Sequence, residues 1–128
     1  MDGTNFELVG DFMEGFGQLV LVEPELPDVE TQTLRVNLIK EELDELEKAL
    51  QDDDIVEVAD ALTDLLYVIY GAGHSFGIDL DSCFAEVHSS NMSKLGPNGR
   101  PIYREDGKIL KGPHYREPNI RAVLDIQE

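Results

Sequence analysis

Two groups of acidic side chains carry the first chemical signal in this 128-residue sequence. Glu41, Glu42 and Glu45 stand in the run KEELDEL, and Glu57, Asp60 and Asp64 follow in VEVADALTDLL. An α-helix turns about 100° per residue, so Glu41, Glu42 and Glu45 fall within a sector of about 100°, beside an apolar stripe. By the same arithmetic Glu57, Asp60 and Asp64 lie within roughly 60° of one another. Carboxylates this close repel and raise each other's pKa values. A hard divalent cation such as Mg²⁺ or Mn²⁺ removes that penalty, because it takes oxygen ligands. Two facing helices with this spacing can hold two or three such ions, and ions of this kind commonly bring phosphates with them. Each set also has a plainer explanation. EELDELEKAL suits a solvated helix face, and Glu57 stands where it could complete a capping box begun by Asp54. Asp60 and Asp64 resist that explanation, since the helix around them is otherwise built for burial.

The elements that must position these groups are helical. Thr31 to Leu50 lacks Gly and Pro, is rich in Leu, Glu and Lys, and carries Ile39, Leu43, Leu46 and Leu50 as an apolar stripe. A second helix is expected from Ile55 to about Phe76, apolar on most of its circumference, which predicts the centre of a bundle or a subunit interface. Gly77 followed by Ile78 reads as a Schellman stop, and Asp79 as the cap of a further helix carrying Cys83, Phe84 and Val87. Ahead of these, Phe6, Val9, Met13, Phe16 and Val20 suggest a first helix ending at Phe16-Gly17, followed by a proline-containing linker over 23–28. Residues 95–119 hold repeated Gly and Pro turn signals and predict a loop-rich, hairpin-like tail. The expected organisation is a single all-α domain over 1–128, with core helices over about 5–94 and the tail over 95–128.

Composition narrows the chemistry. The net charge of -17 excludes electrostatic capture of nucleic acid or an anionic membrane, which needs basic patches. Cys83 is the sole cysteine, so no internal disulfide forms, which suits a reducing compartment. No apolar run is long enough to span a membrane, and the expected location is the cytoplasm. A helical chain of 14.3 kDa with few aromatics and no Trp is expected to complete its core as a homodimer or homotetramer.

RVNLIKEELDEL followed by DALTDLLYVIYGAGHSFGID resembles the MazG-like all-α nucleoside triphosphate pyrophosphohydrolases, a superfamily that includes dimeric dUTPases and phosphoribosyl-ATP pyrophosphohydrolases. Its signature is EExxE on one helix and ExxD on the next. Glu41, Glu42 and Glu45 fill the first half. In the second half Glu57 and Asp60 satisfy the spacing, yet relatives place the aspartate directly before an apolar run, which here is Asp64, and three residues earlier stands Ala61. Asp64 and Asp60 are therefore ranked above Glu57 as ligands. The stretch HSSNMSK, with Asn91 and Lys94, is similar to a segment that contacts the substrate's phosphates or sugar, and the tail GKILKGPHYREPNI is similar to the ends of phage and bacterial members.

The resemblance implies a four-helix-bundle-type domain that uses Mg²⁺ or Mn²⁺, two to three ions per site, to cleave a nucleoside triphosphate to the monophosphate and pyrophosphate. It implies Glu42 or Glu45 as the group that orients or deprotonates the attacking water, and Lys94, Lys108 and Lys111 as cations near the leaving pyrophosphate. The base site is expected between the first helix, the Phe16-Gln18 turn and the third helix, with Gln18 or Asn37 reading a base edge and Phe12 or Phe16 stacking on it. The bases read by relatives include those of dUTP, dCTP and dGTP. Two alternatives stand beside this reading. One is a phosphoribosyl-ATP pyrophosphohydrolase, which the tail and the FGQ element fit poorly. The other is a non-enzymatic acidic mimic of DNA, whose charges would be spread over the exterior rather than gathered on two stripes.

Overall fold

A computed structural model of the chain describes residues 3–126. The chain divides into two compact units after Leu80. The first unit holds α1 (Asn5–Gly15), α2 (Val29–Gln51) and α3 (Ile55–Ser75). Its helices begin where short polar side chains satisfy the free N–H groups of the first turn. Thr4 forms a full capping box with Glu7 on α1, and Asp28 caps α2 by accepting from the backbone N–H of Thr31. Asp54 caps α3 by accepting from the N–H of Glu57 at 3.2 Å. The expected capping box is not completed there, because the Asp54 N–H donates to the Ala49 carbonyl at 3.1 Å. The Glu57 carboxylate is thus not committed to a capping role.

Helix α3 ends in the Schellman geometry that Gly77 foreshadowed. The Ile78 N–H donates to Gly73 and the Gly77 N–H to His74, with Gly77 at φ +67°. The linker after α1 runs along this end of α3: Leu21 donates to the His74 carbonyl and Glu25 to that of Phe76. Phe6 stacks on His74 with ring centroids 3.9 Å apart, which fastens α1 to the same end of α3.

α2 and α3 are joined by only Asp52, Asp53 and Asp54, so they pack side by side and antiparallel. Arg35 lies against Gly71, and seven residues on, Glu42 meets Asp64. Seven residues are almost two full turns, so each pair sits on the same facing stripe of its helix. The interior of this unit is small: Val9, Met13, Ala49 and Ala61 are its buried apolar side chains. Much of the apolar surface of α3, including Ile55, Leu62, Leu66 and Ile69, is exposed within one copy of the chain.

The second unit contains most of α4 (Leu80–Met92), a two-stranded antiparallel hairpin of β1 (Ile102–Tyr103) and β2 (Ile109–Leu110), and α5 (Ile120–Leu124). The hairpin matches the turn signals of the tail. Its loop is braced by Arg104 bonding to Asp106, with Gly107 at φ +88°. Arg116 and the N–H of Asn119 both donate to Glu86, tying the tail to α4. The architecture is mostly helical, as expected. No helix among the described residues is long and apolar enough to cross a membrane.

Candidate active site

The antiparallel register of α2 and α3 brings one oxygen each of Glu42, Glu45 and Asp64 within 4.8 Å of one another. Two of the three come from adjacent turns of α2, and the third reaches across from α3. Ala61 is buried one turn before Asp64. The electrostatics are those of a site short of positive charge. Desolvation raises the pKa of Glu42, with Glu45, Asp64 and Glu41 adding to it through their charge. Desolvation likewise raises Asp64, reinforced by Asp60 and Glu45. One oxygen of Glu42, Oε2, is buried without a hydrogen-bond donor among the described residues. A buried carboxylate oxygen with no donor, beside two further carboxylates, is the arrangement a hard divalent cation would satisfy.

The other acids foreseen in the sequence take flanking places. Glu41 and Asp60 are exposed and act on the trio through charge. Glu57 is also exposed and lines a cleft of about 380 Å³ with Glu45, Lys48, Ala49 and Asp52. Lys48 is a functional candidate that the sequence reading missed. It stands three residues after Glu45, a spacing that puts both on one helix face, and that was the available signal. A cation bordering the acid trio could meet a phosphate.

Gln18 is exposed in the turn after α1, and its Oε1 accepts from Arg35 at 3.4 Å. Gln18, Phe12 and Arg35 line a second cleft, of about 140 Å³, with Met13, Leu38 and Tyr67. Phe16 stacks on Phe12 with centroids 4.3 Å apart. Asn37 is exposed on α2, two residues and so about 200° round the helix from Arg35. The remaining predicted contacts lie in the second unit. Asn91 is exposed near the end of α4, and its carbonyl accepts from the Lys94 N–H. Lys108 follows the hairpin turn, and Lys111 holds its ammonium 4.7 Å from the centre of the Tyr115 ring.

Fold and site together define an all-α protein whose paired helices present clustered carboxylates suited to a hard cation. Residues 9–91 match the family model for phosphoribosyl-ATP pyrophosphohydrolase, and the chain belongs to that family, within the MazG-like all-α NTP pyrophosphohydrolase superfamily. The chain is similar to uncharacterized protein L479 of Acanthamoeba polyphaga mimivirus, with 35% identity over 112 residues that cover 84% of this chain. Those residues span 42% of the relative, so the chain accounts for less than half of that protein. Among solved structures it is similar to a proposed NTP pyrophosphohydrolase from Exiguobacterium sp. 255-15, with a TM-score of 0.52 and 24% identity over 98% of this chain and 94% of that one. At that identity the likeness speaks for the fold.

Proposed function

We propose that this chain is a metal-dependent pyrophosphohydrolase that cleaves a nucleoside triphosphate, of the deoxy or ribo series, to its monophosphate and pyrophosphate. The observation that carries the reading is the convergence of Glu42, Glu45 and Asp64, with a buried Glu42 oxygen left without a donor. Membership of the pyrophosphohydrolase family supports the reaction class. Mg²⁺ or Mn²⁺ would be held by Glu42, Glu45 and Asp64, with Glu41, Asp60 and Glu57 near enough in the sequence pattern to serve further ions. A bound ion supplies charge against the phosphates and a water acidified for attack on phosphorus.

The chain's own groups divide the remaining work. Glu45 is the more exposed acid of α2's pair, and it orients the attacking water. Either Glu42 or Glu45 is proposed to take the proton from that water. Lys48 at the edge of the acid trio offsets phosphate charge, and Lys94, Lys108 and Lys111 are proposed to do the same for the leaving pyrophosphate, with Asn91 as a polar contact. A second copy of the chain is proposed to cover the exposed apolar side chains of α3, giving a homodimer or homotetramer.

Pyrophosphate release from a panel of nucleoside triphosphates with Mg²⁺ or Mn²⁺ tests the reading. Turnover of at least one nucleotide is expected, and its loss in Glu42→Gln or Asp64→Asn proteins that keep their helicity. Silence on the whole panel would sink the proposal. Phosphoribosyl-ATP belongs in the panel as a second reading, because the family model that matches residues 9–91 bears its name.

A further inference from the structure

Arg35 is an unusual occupant of a helix interior. It is only 8% exposed, and its Nε–H is buried without an acceptor. Among the described residues its one hydrogen bond, to Gln18 Oε1, is 3.4 Å long and therefore weak. Among the described residues the ion pairs join Arg104 to Asp106 and Arg116 to Glu86, so no carboxylate neutralises it. Burying a guanidinium without acceptors costs free energy, so a group left in this state calls for a partner.

Arg35 lines the cleft of about 140 Å³ together with Gly71, beside which its Nη1 lies, and the other walls include Phe12, Tyr67, Met13 and Leu38. Pockets for whole small-molecule ligands run to roughly 300–1,000 Å³, so this one accommodates one planar ring system of a larger molecule. A phosphate here would leave most of its oxygens facing apolar and aromatic carbon. A nucleobase would not: its faces suit the aromatic walls and its edge offers acceptors. Position agrees with chemistry. Arg35 precedes Glu42 by seven residues on the same stripe of α2, an axial separation of about 10.5 Å. That leaves room for a sugar between a base at Arg35 and phosphates at the acid cluster.

We infer that Arg35 is a specificity-determining residue that reads a base with two adjacent hydrogen-bond acceptors. This inference rests on the nucleotide pyrophosphohydrolase reading above. Guanine offers O6 and N7, and cytosine offers O2 and N3, either pair matching two guanidinium N–H groups. Uracil and thymine set an N–H between their carbonyls, and adenine sets an amino group beside N7, so each turns a donor toward a donor. The acceptor edge shared by guanine and cytosine is thus the selected chemistry. Gly71 is the complement of Arg35 on α3, since a Cβ there would lie 2.8 Å from Nη1.

The test is a ratio of kcat/KM values for dGTP, dCTP, dUTP and dATP, together with calorimetric binding of the corresponding monophosphates without metal. Either dGTP or dCTP is expected to exceed dUTP and dATP on the order of tenfold or more, and which of the two leads identifies the edge. Arg35→Met keeps the side chain's bulk and should bring the ratios toward one. Gly71→Ala raises helix propensity, so it should fold, and its new methyl should displace the guanidinium and lower the same ratios. A wild-type preference for dUTP or dATP overturns the inference while leaving the proposed reaction standing. Unchanged ratios in a folded Gly71→Ala protein overturn it as well, as does an Arg35→Met protein that loses only its oligomeric state. Absence of turnover counts against the reaction instead, and the monophosphate binding order then decides the base reading alone.

Discussion

Glu42 concentrates the chemistry at the scale of single residues. It borders Glu45 and Asp64, and its Oε2 lacks any donor. Replacing its charge by an amide in Glu42→Gln should lower kcat/KM by more than the roughly 10–100-fold that even outer-shell partners of a metal command. Circular dichroism should show the helices intact, since the substitution relieves repulsion instead of opening a cavity. The raised pKa values of Glu42 and Asp64 carry a pH signature of the metal-free protein. Below the ordinary carboxylate range, folded and unfolded chains both hold these protons and there is no penalty. As pH rises through the window up to the raised values, the folded chain binds more protons than the unfolded one, so stability falls. Glu86 and Asp106, whose pKa values are lowered, slope the other way. Melting temperature measured with and without Mg²⁺ isolates the acid trio: the gain from Mg²⁺ should grow from pH 5 toward neutrality. A gain independent of pH would contradict the assignment.

Elements decide whether those residues meet. The pairing of Arg35 with Gly71 and of Glu42 with Asp64 depends on where α2 stops and α3 begins, and the turn of Asp52, Asp53 and Asp54 sets that register. At the other end, Gly77 closes α3 with a positive φ, and a Cβ on it would lie 2.0 Å from the Glu23 carbonyl oxygen. Gly77→Ala therefore meets both a left-handed backbone and a backbone clash, and should destabilise the chain by about 2 kcal/mol or more. Denaturant unfolding followed by far-UV circular dichroism measures this. A near-wild-type midpoint would show that the linker around Glu23 moves aside at little cost.

For the molecule as a whole, the mismatch between a small buried interior and a broad apolar α3 is the main physical fact. Ile55, Leu62, Leu66 and Ile69 are all exposed in one copy, although the sequence marks α3 as a helix for burial. Light scattering should return a mass that is a multiple of 14.3 kDa, and Leu66→Glu should shift it toward the single chain. A wild-type protein that is monomeric at micromolar concentration would remove the proposed second copy.

Local signals in the sequence determined the helices, their caps and their stops. Asp54 and Gly77, read as a cap and a stop, act through bonds to residues a few places away and are legible without the fold. Thr4 and Asp28 act just as locally, and Asp28 starts α2 at Val29, two residues ahead of the expected Thr31. The same holds for EExxE, whose members share one face by helical arithmetic, and for the hairpin turns of the tail. Tertiary structure alone decided which acids converge. Glu42 and Glu45 meet Asp64, while Glu41, Glu57 and Asp60 flank them, because the interhelical register and not the spacing along one helix selects the partners across α2 and α3. It also decided that Arg35, unmarked in the sequence, is buried beside an aromatic cleft with no counter-ion among the described residues. Burial is set by what packs opposite a residue, and at Arg35 that neighbour is Gly71, 36 positions away along the chain.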